Sequence, residues 1–503
     1  MNSMRLMFLW CILGIVWSPD LKSQSKKQNG SPAIKQLQAD VLDDIGQKFV
    51  ENASWGIVVQ SLKNGETLVS VNPKKNLIPA SNRKIFSSIF ALDQLGADFT
   101  YVTQVFAKGV LDSDSVFKGD IIIRGAGDPT ISGRFYENKI TKILEDWADS
   151  VQRKGIKSIR GRIIGDDNGL MGDDVLGDYW ESTEESYWYS AQISGLNFND
   201  NCVDWYAKPT RIGEPAKIIL IPPTQYIKIN NFVKTVSSKS EAVKVDAIRR
   251  RAANEVDFIG SILTESDPQH GYVTVENPTR YTAHVFSEIL QSRNIRVDSA
   301  AVDADDLVRY VYNETDSNMI RIARYVSPAM PELMKIINKN SHNLYAELLW
   351  RTVAAVKDSS GTSKRALALE EKFLKSVGLN PDKISICDGS GYARGNLVSP
   401  QDIVTLLTWV RKHKNWKTFY ESLPLAGEEG TVKSRMKGTL AEGNARAKTG
   451  YLDNVRTISG FVKTRDGEEL VYSVMCNNFT ADRLEIDKIQ DMIIGRLAFF
   501  TRN

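Results

Sequence analysis

Histidine is scarce in this 503-residue chain: His270, His284, His342 and His413 are the whole complement, with no ligand-like spacing. Cysteine is equally rare. Cys11 lies in the N-terminal leader, and Cys202, Cys387 and Cys476 are too far apart to suggest a disulfide framework or a metal motif. No metal and no cofactor is therefore expected, and buried free thiols are the simplest reading. A Gly-x-Ser-x-Gly elbow is missing, which argues against a Ser-His-Asp hydrolase. An excess of charge is missing too. Lys and Arg total 64 against 61 Asp and Glu, a net +3 with no long basic run, so nucleic-acid binding has no support. The one uncharged, mostly apolar stretch of note is Met7 to Trp17, just after Arg5. Its 11 residues are too few to span a bilayer comfortably and fit a secretory leader, with small residues at Ser23-Gln24-Ser25 and cleavage after Ser25. An uncleaved anchor is the competing reading. Bulky Trp10 before Cys11 fits a lipid anchor poorly, so membrane association is at most peripheral.

What the chain does have is ample apolar content, 42% against 25% charged, enough for several packed domains. Residues 26–36 read as a polar lead, followed by a helix from about Ala39 to Val50. Asn64-Gly65 between two β-type runs, Trp55–Leu62 and Glu66–Val71, marks a hairpin. An apolar helix then opens near Ser81. From Tyr101 the texture changes to short strands and glycine turns, and residues 181–275 look like a small β-rich unit. Trp180, Tyr187, Trp188 and Tyr189 cluster there, read as packing residues rather than a sugar platform. Helices return from Pro328, and the chain ends in a second hairpin around Asp466-Gly467 and a strongly periodic helix. The two ends share one style and the middle another. The expected organisation is a leader (1–25), a discontinuous domain (26–100 with 325–503), an inserted α/β domain (101–180 with 276–324) and a nested β-rich domain (181–275).

Gly125-Ala126-Gly127 lacks a following Gly-Lys-Ser/Thr and precedes Asp128-Pro129, so it reads as a turn and not a phosphate loop. The chemistry-bearing pattern lies elsewhere. Ser81 and Lys84, three residues apart at a helix start, share one face, so a neutral lysine amine could activate the serine without any histidine. Alone this means little, because Ser-x-x-Lys also begins at Ser23, Ser115 and Ser434, and Ser81 could equally be a helix cap. The ordered set is what carries weight: Ser81/Lys84 opening a helix, Ser341-His342-Asn343 on a helix-entry loop, and Lys448-Thr449-Gly450 on a strand.

This set, with Gly165-Asp166-Asp167, Asn197-Phe198-Asn199-Asp200-Asn201, Asp388-Gly389-Ser390-Gly391 and Leu423-Pro424-Leu425-Ala426-Gly427, resembles the D-alanyl-D-alanine carboxypeptidase/endopeptidase family, the class C low-molecular-mass penicillin-binding proteins. The resemblance covers nearly the whole mature chain. It implies an α+β multidomain fold: a discontinuous β-lactamase-like transpeptidase domain, an antiparallel sheet flanked by helices, with a large α/β and β-rich insertion. It implies a serine DD-peptidase with Ser81 as nucleophile, Lys84 as general base and Ser341 in proton return to the leaving amine. Asn343, Lys448, Thr449 and Gly450 would bind substrate, and the backbone N–H groups of Ser81 and Tyr451 would form the oxyanion hole. The implied partners are peptidoglycan stem peptides and β-lactam antibiotics. The implied location is beyond the cytoplasmic membrane, the periplasm in a double-membrane cell. A secreted serine β-lactamase and a catalytically silent peptidoglycan-binding protein are the competing functions. The balance between carboxypeptidase and endopeptidase action is not written in the sequence.

Overall fold

A computed structural model describes residues 31–168, 176–177, 179–313 and 315–502. The leader and Cys11 lie outside the described residues. The first described element corrects an expectation: Pro32–Ile45 is helical, where residues 26–36 were read as a polar lead. Ser31 caps it by accepting from the Ile34 amide, and Pro32 sits in the first turn, where its missing N–H costs nothing. The helix stops at Gly46 instead of running to Val50, and Lys48–Val50 forms a separate 3-10 turn.

A five-stranded antiparallel sheet is built from strands of both ends of the chain. Its order is Arg446–Leu452, Val455–Lys463, Glu469–Asn477, Ser54–Ser61 and Thr67–Val71. Strands from the two ends of the chain are thus neighbours, with Ser54 opposite Asn477 and Ser61 opposite Leu470. Alternation along these strands feeds two apolar cores, because successive side chains point to opposite faces. Ile57, Val59, Tyr472 and Val474 pack with the helices Pro32–Ile45 and Arg483–Phe499. Val58, Val471 and Met475 pack with Phe86, Ile89 and Phe90 of the helix Arg83–Leu95 and with residues of the helices after Ala329. The result is helices, sheet and helices in three layers.

Between these segments, Val102–Leu111, Val116–Arg124, Ser158–Arg160, Ile163–Asp166, Arg296–Val297, Val302–Asp303 and Met319–Val326 make a mixed sheet. The helices Lys142–Arg153 and Pro278–Ser292 contribute Trp147 and Phe286, which meet edge to face in its core. Three small sheets occupy residues 202–274. No helix among the described residues is long and apolar enough to cross a membrane.

Candidate active site

Ser81 does not open the α-helix itself. It sits in the 3-10 turn Ala80–Asn82, and the α-helix starts at Arg83, with Lys84 in its first turn. Ala80 is held at φ 45°, a left-handed conformation unusual for a residue with a side chain. Two neighbours enforce this turn. Asn82 Nδ2 donates to the Lys448 carbonyl (3.2 Å) and to Thr457 Oγ1 (2.6 Å), and Thr457 Oγ1 donates to the Pro79 carbonyl (2.7 Å). The turn is thereby tied to the two strands that follow the insertion.

Those strands bring the third motif alongside the first. Arg446–Leu452 is an edge strand whose Lys448 is fully buried and whose Tyr451 is half exposed. Gly450 faces the Ser81 turn so closely that an added Cβ would lie 2.2 Å from Thr457 Oγ1, 2.6 Å from the Pro79 carbonyl oxygen and 3.0 Å from the Ser81 nitrogen. This glycine makes room for the Ser81 turn, a constraint separate from the substrate contact that the resemblance implies. Thr449 Oγ1 donates to Thr431 Oγ1 at 2.6 Å.

The second motif comes from the loop before the helix Asn343–Asp358. Ser341 adopts φ 58° there, and its Oγ accepts a 2.8 Å hydrogen bond from Lys448 Nζ. Asn343 turns its Oδ1 to Lys84 Nζ (2.7 Å) and donates through Nδ2 to the Tyr189 carbonyl (2.8 Å). His342 points away from this centre. Its buried ring lies within 3.2 Å of Arg134 and 3.3 Å of Asp200, packed near Trp188 and Tyr345. Asn199, Asp200 and Asn201, all at positive φ, form the strained turn that presents Asp200. Asn340 and His342, on either side of Ser341, also line a cavity of about 540 Å³ shared with Asp200, Asp204, Tyr206 and Tyr272.

Lys84 is the electrostatic centre. Fully buried, its Nζ has three oxygen partners: Ser81 Oγ at 2.9 Å, Asn343 Oδ1 at 2.7 Å and the Ser390 carbonyl at 2.8 Å. Burial pushes its pKa down to about 7, against the opposing pull of Asp388 and Glu347 and with a smaller push from Arg83. Burial and the nearby Lys84 charge also hold the Lys448 amine well below its usual range. An ammonium offers three donors and no acceptor; a neutral amine offers two donors and one lone pair. The Asn343 and Ser390 oxygens can only accept, so the two remaining N–H groups go to them. The lone pair of neutral Lys84 is then left facing the Ser81 hydroxyl. The arrangement can remove the Ser81 proton without a histidine.

All the residues expected from the sequence, Ser81, Lys84, Ser341, Asn343, Lys448, Thr449, Gly450 and Tyr451, fall within one connected neighbourhood, with each lysine holding one serine. Sequence reasoning missed several of its members. The Ser390 contact is made by a backbone carbonyl, which the residue type does not reveal. Tyr189 contributes through its carbonyl, from an aromatic cluster read as packing. Its ring does pack, 5.6 Å from Tyr187 and 5.7 Å from Tyr392. Glu347 lies four residues after Asn343, a helical spacing that could have flagged it.

Comparison with known proteins covers most of the chain. Residues 37–498 match the D-Ala-D-Ala carboxypeptidase 3 (S13) family. The chain is 30% identical to the D-alanyl-D-alanine carboxypeptidase of Actinomadura sp. (strain R39), over 92% of this chain and 85% of that protein. It is 24% identical to the D-alanyl-D-alanine carboxypeptidase DacB of Haemophilus influenzae, over 88% of this chain and 89% of the relative. Among solved structures, penicillin binding protein 4 from Haemophilus influenzae superimposes with a TM-score of 0.77 at 21% identity, covering 92% of this chain and 99% of that one.

Proposed function

The chain belongs to the D-Ala-D-Ala carboxypeptidase 3 (S13) family of serine peptidases, and on that premise we propose that it hydrolyses the D-Ala-D-Ala bond of peptidoglycan stem peptides through an acyl-enzyme on Ser81. The observation that carries this reading is the triple coordination of buried Lys84, which leaves its lone pair aimed at Ser81. Ser81 Oγ attacks the carbonyl carbon of the penultimate D-alanine while Lys84 takes the hydroxyl proton. The backbone N–H groups of Ser81 and Tyr451 receive the oxyanion. Collapse breaks the C–N bond, and the departing amine takes a proton from the Ser341 hydroxyl, which recovers it through Lys448, 2.8 Å away, from the proton that Lys84 took from Ser81, so that both lysines end as they began. Lys448 and Thr449 bind the terminal carboxylate, and Asn343 keeps Lys84 in line. Water then hydrolyses the Ser81 ester.

The same steps act on a D-Ala–diaminopimelate cross-link, in which the leaving amine belongs to a second strand; this endopeptidase action is part of the proposal. A β-lactam presents an amide carbonyl and a carboxylate of similar disposition and acylates Ser81 in the same way. Location beyond the cytoplasmic membrane, in the periplasm of a double-membrane cell, and division into a two-segment catalytic unit, an α/β insertion and a nested β-rich unit complete the reading.

Fluorescent penicillin is expected to label the protein covalently, with labelling abolished by Ser81→Ala. Mass spectrometry of products from purified muropeptides is expected to show loss of terminal D-alanine, and any cleaved cross-links register endopeptidase action. Rapid turnover of the penicillin adduct would assign the chain to β-lactamase chemistry, and absence of labelling would make it a silent binding protein.

A further inference from the structure

We propose that Glu347 is a positioning residue for the Lys84 amine, acting through the Asp388–Gly391 turn, and that its charge sets the pH at which the amine becomes a base. The inference rests on Lys84 serving as the base for Ser81. Asn343 and Glu347 are four residues apart on one helix, so a single face reaches the amine by two routes. Asn343 touches Nζ directly. Glu347, with no exposure to solvent, accepts on Oε1 from the backbone amides of Gly389 (2.7 Å) and Ser390 (2.8 Å).

Both residues of that turn return to the helix that carries Lys84. The Ser390 carbonyl accepts from Lys84 Nζ at 2.8 Å, and the Gly389 carbonyl accepts from Ser87 Oγ at 2.7 Å. On its other side the turn is backed by the residues around Ser81. Gly391, at φ 83°, lies so close to Ala80 that an added Cβ would stand 2.0 Å from the Ala80 carbonyl oxygen. Asp388 is consumed in holding the turn, accepting from the amides of Gly391 and Ala393, from Asn396 Nδ2 and from Trp180 Nε1. Glu347 is therefore the strut between the second-motif helix and the carbonyl that Lys84 needs.

A glutamine could accept the same two amides, so geometry alone does not call for a carboxylate. The charges around it give the carboxylate a task. Lys84 faces Asp388 from the turn, Glu347 from the neighbouring helix, Arg83 on its own helix and Lys448 on the edge strand, with His342 nearby. Glu347 in turn faces Asp388, and Arg351 on its own helix with Nε 3.9 Å from Oε2. Burial, with Asp388 beside it, raises the Glu347 carboxyl to about 7, so its charge develops over the same range in which Lys84 gives up its proton; as that charge forms it stabilises the Lys84 ammonium and opposes the desolvation that favours the neutral amine. Without Glu347, Lys84 loses its proton at lower pH.

The test is the rate of acylation by fluorescent penicillin from pH 5 to 9 in wild type, Glu347→Gln and Glu347→Asp. Glu347→Gln keeps both amide contacts and removes the charge, which is only partly developed near pH 7, so the midpoint of the acid limb should fall by up to about one pH unit, whatever the plateau height. Glu347→Asp keeps the charge and withdraws the oxygen by one methylene, about 1.5 Å. Its limb should stay nearer that of wild type while the plateau drops about 100-fold, the cost of misplacing the base by an ångström. A Glu347→Gln limb that coincides with wild type, or moves upward, overturns the proposal, as does an Asp variant with an undiminished plateau. If wild-type protein is not labelled at all, it is the underlying assignment of Ser81 and Lys84 that fails.

Discussion

Replacing Gly450 by alanine adds one methyl group where the Lys448 strand meets the nucleophile turn. The backbone there is not in the left-handed region, so the effect is one of space alone. The new Cβ would sit 2.6 Å from the Pro79 oxygen and 2.2 Å from Thr457 Oγ1, both backed by the hydrogen bonds that clamp the turn. Restoring the ~3.5 Å of unstrained contact requires strand and turn to part by about 1 Å. Overpacking of this kind costs about 1–3 kcal/mol, a tolerable loss for a protein of this size. The same displacement carries Ser81 away from the Tyr451 amide, and a misplacement of about 1 Å lowers a rate by about 100-fold. Activity should thus suffer far more than stability. The assay pairs the second-order rate of labelling by fluorescent penicillin with the urea midpoint of unfolding. Labelling within about threefold of wild type would refute the idea that Gly450 exists to admit the Ser81 turn.

The wild-type rate of acylation should rise with pH through about 7 and then level off, because protonated Lys84 has no lone pair and its pKa is about 7. A profile flat from pH 5 to 9 would remove Lys84 from the role of base. Arg83 and Glu370 form a bidentate ion pair (2.9 and 2.6 Å) with no exposure of either side chain. Arg83→Met strands Glu370 in the core and should cost about 3–5 kcal/mol by urea denaturation, while adding Glu370→Leu should recover at least half of that. A double variant no more stable than the single one would contradict this.

The side chains of the proposed site were legible because they fall in three short motifs in a set order, and the hairpins were legible from Asn64-Gly65 and Asp466-Gly467. Groups acting through the backbone were not. The carbonyls of Ser390 and Tyr189 hold Lys84 and Asn343, and any residue type supplies a carbonyl. Gly450 was visible as a glycine, but its neighbour was not, since Pro79 and Ser81 are brought to it only by sheet pairing across the insertion. The start of the first helix was placed too late because residues 26–36 are mostly polar. Its start is signalled by Ser31-Pro32, a cap and first-turn pair that outweighs composition.

The pairing of Ser54–Ser61 with Glu469–Asn477 also fixes the order in which the chain can close. At ordinary ribosomal speeds of about 5–20 residues per second, the partner strand is made roughly 20–80 s after the first one. Throughout that interval the Ser81 helix has neither its sheet nor Lys448, while the insertion, whose described strands lie between Val102 and Val326, already has its own pairing partners. Such long-range closure makes for slow folding. A chain shortened before Arg446 would thus carry Ser81 and Lys84 without the edge strand and the paired strands that pack against them.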